Sequence, residues 1–176
     1  MKSRIHFILG GNRSGKSLRA ETIAAEQALP VTYVATYADE GLDDEMKQRV
    51  KTHQERRLSH WKTVEERFDL TSVLDEHSGS FVLIDSLTLW LSWKSVFQKN
   101  ESEILKELQL VLHHVKKNNF RVLFVGDELG MSLVPSSTEG RAFRDLVGRA
   151  NQIVAAEADH VELSIAGLPL VLKGEA

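Results

Sequence analysis

An eight-residue stretch near the start of the chain decides the fold: Gly10-Gly11-Asn12-Arg13-Ser14-Gly15-Lys16-Ser17. It matches the phosphate-loop pattern G-x-x-x-x-G-K-[ST]. The apolar residues 5–9 before it predict a buried strand, and the Ala- and Glu-rich residues 17–28 after it predict a helix. Glycines let such a loop aim its backbone N–H groups at one phosphate, where the helix N-terminus adds partial positive charge. The whole stretch therefore predicts a nucleotide site in which Lys16 reaches the β- and γ-phosphates and the Ser17 hydroxyl coordinates Mg²⁺.

Working outward from this loop, strands and helices alternate. Further apolar runs predict strands at residues 31–36, 81–85 and 121–125, and periodic segments predict helices at 43–67, 87–97, 104–115 and 139–156. Continuous apolar strands between helices imply a parallel sheet covered on both faces. Residues 161–172 alternate around Ala166-Gly167 and predict a closing antiparallel hairpin. We therefore expect a three-layer α/β fold of the RecA-like P-loop NTPase class, with residues 1–176 as one domain.

Composition limits the classes of function. The chain has 176 residues, of which 22 are Lys or Arg and 25 are Asp or Glu, so its formal net charge is −3. This charge excludes a protein that holds nucleic acid through bulk positive charge. The chain has no cysteine, which excludes disulfides, thiol catalysis and Cys-ligated zinc. No run approaches the ~18 apolar residues of a membrane span, and no signal-peptide core precedes the glycines. We expect a cytoplasmic protein with no membrane span and no nucleic-acid partner.

A carboxylate stands at the end of the third predicted strand. Asp85 directly follows the apolar residues 81–84. A carboxylate in this position is typical of a second metal ligand beside a phosphate loop, although an ordinary turn aspartate is the alternative. With the loop, Asp85 predicts Mg²⁺-dependent chemistry on nucleotide phosphates, with Ser17 and Asp85 as metal ligands. The base-reading tetrapeptide Asn-Lys-x-Asp of GTPases does not occur, which argues against a Ras-like switch.

Histidine and arginine residues gather between positions 49 and 61. On a helix, Arg49, His53 and either Arg56 or Arg57 share a face. Cations around an imidazole disfavour its protonated form, and a neutral imidazole can attack phosphates that arginines bind. From the residues alone, a solvated helix with scattered charge is favoured over this nucleophile. Three other histidines are expected at the surface: His77, His113 and His114.

Ordered matches to one protein family run through nearly the whole chain. After the phosphate loop come Tyr33-Val34-Ala35-Thr36, Leu42-Asp43-Asp44-Glu45-Met46, Arg49-Val50-x-x-His53-x-x-Arg56-Arg57-x-x-x-Trp61-x-Thr63-x-Glu65, residues 83–91, Glu128-x-Gly130-x-x-x-Val134-Pro135, and residues 141–152. This combination resembles the bifunctional adenosylcobinamide kinase / adenosylcobinamide-phosphate guanylyltransferase family of cobalamin biosynthesis.

The resemblance implies two reactions and assigns residues to them. In the first, adenosylcobinamide takes the γ-phosphate of ATP or GTP at the phosphate loop, with Lys16 as a catalytic residue. In the second, His53 is the leading candidate nucleophile: it attacks the α-phosphate of GTP, releases pyrophosphate and passes GMP to adenosylcobinamide phosphate. The resemblance also implies a homotrimer, and it implies nucleotide contacts at Ala35, Thr36, Tyr37, Gln54, Glu55, Arg56, Arg57 and Glu65.

Departures from the family pattern leave alternatives open. Thr52 precedes His53 where some relatives have a second histidine, and Asp127 stands where Asn is usual. One alternative is a kinase that has lost guanylyl transfer. The other is a non-catalytic, nucleotide-controlled binding module or a recombinase-like ATPase.

Overall fold

The computed structural model describes residues 5–37, 48, 51, 52, 54–98 and 100–175. The described elements, in chain order, are β1 (Ile5–Gly10), α1 (Lys16–Ala25), β2 (Val31–Ala35), β3 (Lys62–Glu65), α2 (Leu70–Glu76), β4 (Phe81–Asp85), α3 (Leu87–Gln98), α4 (Glu101–Lys117), β5 (Arg121–Asp127), α5 (Thr138–Glu157), β6 (His160–Ile165) and β7 (Leu168–Lys173).

The seven strands form one sheet in the order β3-β2-β4-β5-β1-β6-β7. Every neighbouring pair is parallel except β6 and β7, which form the antiparallel hairpin. Parallel pairing brings the carboxyl ends of the strands to one edge, where Gly10 is the register partner of Asp127 and Ala35 that of Asp85. In open α/β sheets ligands bind at this edge. The predicted α/β class, mostly parallel with a C-terminal antiparallel hairpin, is confirmed.

Apolar side chains cover both faces of the sheet, which gives the three layers. One face packs against α2 to α5 through residues such as Trp90, Leu108 and Val147. The other packs against α1, whose Ala20 and Ala24 contact the second cluster. Because the central strands are buried on both sides, their sequences read as continuous apolar runs.

The predicted helix over residues 43–67 is wrong at its C-terminal end. Residues 54–56 are helical, but Lys62–Glu65 form the edge strand β3, which pairs in parallel with β2. Val64 is the one half-buried side chain of this otherwise exposed strand, so its own residues favour a strand only weakly. Backbone pairing with β2 therefore determines its conformation against the local pattern. The short helix α2 was also not predicted. Its Asp69 N-cap accepts a hydrogen bond from the Ser72 N–H at 3.0 Å.

The surface position predicted for His77 is wrong as well. His77 ends α2 and is only 8% exposed. Burial, followed by the nearby positive charge of Lys62, lowers the pKa of its imidazole. His113 is exposed as predicted, and His114 is half-buried beside Asp75. No helix in the described part of the chain is long and apolar enough to cross a membrane.

Candidate active site

The phosphate loop links β1 to α1 in a conformation that needs its glycines. Gly15 has φ 93°, in the left-handed region that glycine adopts without strain. At Gly10, an added Cβ would lie 2.3 Å from Ser14 Oγ and 2.8 Å from the Ser164 carbonyl oxygen. The loop therefore turns tightly enough to place its backbone at the N-terminus of α1, where anions bind.

The C-terminal hairpin holds the phosphate loop through hydrogen bonds to the loop backbone. The carbonyl oxygen of Ser14 accepts hydrogen bonds from Ser164 Oγ and from the Gly167 N–H, each 2.8 Å long. The Cα of Gly167 lies 3.0 Å from where a Cβ on Gly15 would be. Sequence reasoning missed this support, because Ser164 and Ser14 are 150 residues apart and no local pattern joins them.

Lys16 is held by two oxygen partners. Its Nζ lies 2.6 Å from Asp127 Oδ1 and donates to the Gly11 carbonyl oxygen at 3.1 Å. The backbone of Asp127 is fixed in turn, because its N–H donates to Thr88 Oγ1 and its carbonyl accepts from Asn151 Nδ2. Asp127 was not predicted as a site residue. Its position could have indicated such a role, because Asp127 follows the apolar run 121–125 much as Asp85 follows the apolar run 81–84.

Asp85 is oriented by a buried tyrosine. The Tyr33 hydroxyl donates to Asp85 Oδ2 at 2.8 Å, and the Arg57 guanidinium lies 3.8 Å from the centroid of the Tyr33 ring. Burial and the neighbouring Asp85 charge raise the pKa of Tyr33 well above its usual value of 10. Tyr33 therefore remains a hydrogen-bond donor over the working pH range, and it connects the arginine-containing segment to the strand-end carboxylate.

These groups open onto one cleft of about 730 Å³. The predicted site residues that line it are Asn12, Arg13, Ser14, Gly15, Lys16, Ser17, Tyr37, Arg56, Arg57 and Asp85. It is also lined by residues that were not predicted: Leu18, Tyr33, Gln48, Thr52, Ser86, Leu89 and Asp127.

Two predicted residues join the cleft through Tyr37. Gln54 Nε2 donates to the Tyr37 hydroxyl at 2.8 Å, and that hydroxyl donates to Glu65 Oε1 at 3.2 Å. Arg56 reaches across to α1, where its Nε lies 3.4 Å from Glu21 Oε2. The segment after residue 53 is thereby attached to both β3 and the phosphate-loop helix.

The remaining predicted residues lie outside the cleft lining. Ala35 and Thr36 are buried, and Thr36 Oγ1 exchanges two 2.8 Å hydrogen bonds with the backbone of Ser86. Glu55 is exposed, with Lys51 Nζ 3.9 Å away. Gly10 and Gly11 form the base of the loop. His53 and Arg49 are outside the residues that the structure describes, and so is the segment 42–46.

Comparison with known proteins decides the family. A family model described as "Cobinamide kinase / cobinamide phosphate guanyltransferase" matches residues 6–172. The chain belongs to this family. The cobinamide kinase / guanyltransferase family predicted from the motifs is thus confirmed, together with its fold and its class of transferase activity.

Two curated members of the family match this chain along nearly their whole lengths. One is a bifunctional adenosylcobalamin biosynthesis protein, CobP, of Pseudomonas aeruginosa, which is 38% identical over 96% of this chain and 97% of its own. Another is the bifunctional adenosylcobalamin biosynthesis protein CobU of Escherichia coli, 33% identical over 95% of this chain and 98% of its own. The similarity spans both the phosphate loop and the C-terminal hairpin that supports it.

Proposed function

We propose that this single domain phosphorylates adenosylcobinamide with ATP or GTP and then transfers GMP from GTP to the product, using one cleft for both steps. The main support for this is that the phosphate loop and the arginine-containing segment line the same cleft, to which Lys16, Ser17, Arg56 and Arg57 all contribute. A nucleotide whose terminal phosphates occupy the loop would extend toward the arginines. Both the γ- and the α-phosphate then fall within one cleft.

In the kinase step, a corrinoid hydroxyl oxygen attacks the γ-phosphorus and the bond to the β-phosphate oxygen breaks. The loose transition state needs alignment and charge stabilisation more than covalent help. Lys16 and the loop N–H groups supply both, because they face the charge that moves onto the β–γ bridging oxygen. In the structure Lys16 is paired with Asp127, so we expect the phosphate to compete with this carboxylate for the ammonium group.

The proposed Mg²⁺ ligands fit a hard cation. Ser17 and Asp85 line the same cleft and offer a hydroxyl and a carboxylate, the all-oxygen donors that Mg²⁺ prefers. Because Tyr33 donates to Asp85 Oδ2, that carboxylate is held in one orientation. When bound, the ion would neutralise charge on the phosphate oxygens.

In the guanylyl step, an imidazole nitrogen of His53 attacks the α-phosphorus of GTP and pyrophosphate leaves. An oxygen of adenosylcobinamide phosphate then attacks the same phosphorus and releases the histidine. Arg56 and Arg57 follow His53 closely in sequence and line the cleft, which supports a role in binding the phosphates under attack. Lys16 and the loop would stabilise the departing pyrophosphate.

The deciding experiment uses GTP radiolabelled on its α-phosphate. Wild-type protein should acquire an acid-labile label, and His53→Ala should acquire none while still phosphorylating the corrinoid. His60→Ala is the matched control, because His60 is an exposed histidine of the same segment and should label like wild type. Lys16→Met should lose both activities by about 100-fold or more.

Each alternative corresponds to a different outcome. A wild type that phosphorylates the corrinoid but takes no label is a kinase without guanylyl transfer. A protein that binds or hydrolyses nucleotide with no corrinoid phosphorylation at saturating nucleotide is a binding module or an unrelated ATPase. Label that persists in His53→Ala places the nucleophile elsewhere and refutes the assigned role.

We also propose that the chain acts as a homotrimer. Self-association is supported by the edge strand β7, where Leu168, Leu170 and Leu172 are all more than half exposed. A contiguous exposed apolar patch is one mark of a protein–protein contact site. The number of copies comes from the family resemblance, and sedimentation equilibrium of the wild type tests it directly.

A further inference from the structure

A second group of chemistry-bearing side chains lies outside the nucleotide cleft, on the α1 face of the sheet. His6 of β1 and His160 of β6 are register partners on adjacent parallel strands. Glu162 lies two residues further along β6, so its side chain projects from the same face as His160. His6 is four residues before Gly10, which places the group roughly 13 Å along the strand from the phosphate loop.

The three side chains present their ligand atoms at metal-binding spacing. Glu162 Oε1 lies 3.1 Å from His160 Nε2 and 3.5 Å from His6 Nε2. All three atoms lie within 4.8 Å of one another. A tetrahedral Zn²⁺ with ligands at about 2.0–2.1 Å holds its donor atoms about 3.3 Å apart. The two nitrogen-to-oxygen distances lie on either side of that value, so these pairs of atoms are already close to the spacing that an ion requires.

One of the three metal-ligand atoms makes no hydrogen bond. His6 Nε2 is buried and makes no hydrogen bond to any residue that the structure describes. A buried polar atom without a partner is uncommon and calls for an explanation such as an ion. Glu162 Oε1 lies 3.5 Å from this atom without forming a hydrogen bond to it, and an ion bound between the donor atoms would supply the missing contact.

We propose that His6, His160 and Glu162 bind a divalent transition-metal ion of the Zn²⁺ type. Two imidazoles and one carboxylate are a donor set that Zn²⁺ accepts with a fourth position left for water. The site is separate from the nucleotide cleft, and its existence does not depend on the proposed reactions. It would join β1, which leads into the phosphate loop, to β6, whose Ser164 supports that loop.

Arg19 of α1 has two effects on this site: it orients the Glu162 carboxylate, and it competes with a metal ion for one of the carboxylate oxygens. Its Nε donates to Glu162 Oε2 at 2.9 Å and its Nη2 donates to Oε1 at 3.0 Å. A bound ion would replace Nη2 at Oε1, while the Nε contact would continue to orient the carboxylate. The Arg19 side chain is 37% exposed, so the displaced group can turn into water. The nearby positive charge weakens binding, and we therefore expect Zn²⁺ to be held less tightly than in a site without it.

The test measures Zn²⁺ binding to the full chain in excess Mg²⁺, without nucleotide, so that the phosphate-loop site does not take up Zn²⁺. Wild type should bind one equivalent by calorimetry, and Co²⁺ should give the visible absorption of a four-coordinate ion. His160→Gln keeps a hydrogen-bond donor for Glu162 but removes the metal donor, and should weaken binding more than about 100-fold, beyond the effect of losing an outer partner. His113→Gln, an exposed histidine on α4, should bind like wild type.

Other results would overturn the proposal. Wild type that binds no Zn²⁺, or His160→Gln that binds it with unchanged affinity, refutes the site. If His160→Gln fails to fold, the imidazole resonances of His6 and His160 in wild type decide the matter during a Zn²⁺ titration. The two sets of resonances must shift together and stop shifting at one equivalent of Zn²⁺. A titration that leaves either set unshifted refutes the proposed site.

Discussion

Lys16 Nζ and Asp127 Oδ1 lie 2.6 Å apart, so the phosphate-binding lysine is already paired with a carboxylate from the adjacent strand. Both side chains are largely covered, with 13% and 28% of their surfaces exposed. We therefore expect nucleotide phosphate and Asp127 to compete for one ammonium group.

Asp127→Asn should tighten nucleotide binding. The substitution removes the competing charge but preserves the contacts of Thr88 and Asn151, which are made with the backbone of residue 127. We expect the dissociation constant for ATP or GTP to fall by up to about fivefold, which corresponds to a partly exposed ion pair worth up to about 1 kcal/mol. Calorimetric titration measures it. Glu103→Gln, which removes an exposed carboxylate from α4, should leave the constant unchanged, and equal or weaker binding by Asp127→Asn would contradict the competition.

Tyr33→Phe should raise the Mg²⁺ requirement of the kinase reaction. The variant loses the 2.8 Å hydrogen bond that orients Asp85 but retains the aromatic ring beneath Arg57. Loss of an outer partner of a metal ligand costs about tenfold in metal affinity. The half-saturating Mg²⁺ concentration should rise by that factor, while stability falls by only about 1 kcal/mol. Tyr37→Phe is the control, because it also removes a tyrosine hydroxyl from the cleft but leaves the Tyr33–Asp85 hydrogen bond in place. An equal rise in the Mg²⁺ requirement of that variant would count against Asp85 as the metal ligand that Tyr33 orients.

Arg19→Met should destabilise the fold even without metal. The substitution leaves Glu162, whose side chain is 3% exposed, without its bidentate partner. Because Arg19 is 37% exposed, removing it costs up to about 3 kcal/mol, the low end for breaking a buried pair, and the carboxylate that remains stays buried. Urea unfolding in the presence of a chelator measures this loss. Arg149→Met breaks the surface pair with Glu101 and should cost no more than about 1 kcal/mol. Similar losses in both variants would show that burial does not decide the outcome.

His77 should make the protein less stable in mild acid. Burial and Lys62 hold the pKa of His77 below its ordinary value of 6.5, so the unfolded chain binds this proton more readily than the folded one. Stability contributed by the neutral ring is present above about pH 6.5 and is lost as the pH falls from there toward the folded-state pKa. Between about pH 8 and pH 5, wild type should therefore lose more stability than His77→Gln. The exposed His113→Gln should follow wild type, and parallel curves for wild type and His77→Gln would refute the effect.

Much of the architecture could be read from local patterns. The strands at 81–85 and 121–127 are continuous apolar runs because both of their faces are buried, and the helix Glu101–Lys117 shows its buried stripe plainly. The strand Lys62–Glu65 could not be read in this way. It lies at the edge with one half-buried side chain, so its pairing with β2 determines its conformation more than its own residues do.

The candidate site divides in the same manner. The phosphate loop and Asp85 were recognised from sequence because a loop motif and a strand-end carboxylate are local features. Tyr33 and Asp127 were not, because each matters only through a contact with a residue on another element: Asp85 at the end of β4 for the first, and Lys16 at the start of α1 for the second. The role of His53 came from resemblance to a family, and it stays a proposal.

By itself, the sequence determined the fold class, the family and the location of the phosphate loop, because each is encoded in residues that are near neighbours along the chain. The tertiary structure alone decided which distant groups share space. It placed Asp127 against Lys16, seated the loop on Ser164 and Gly167, and grouped His6, His160 and Glu162 on one face. The physical reason is that strand order and register bring together residues separated by more than a hundred positions, and no local periodicity records such a pairing.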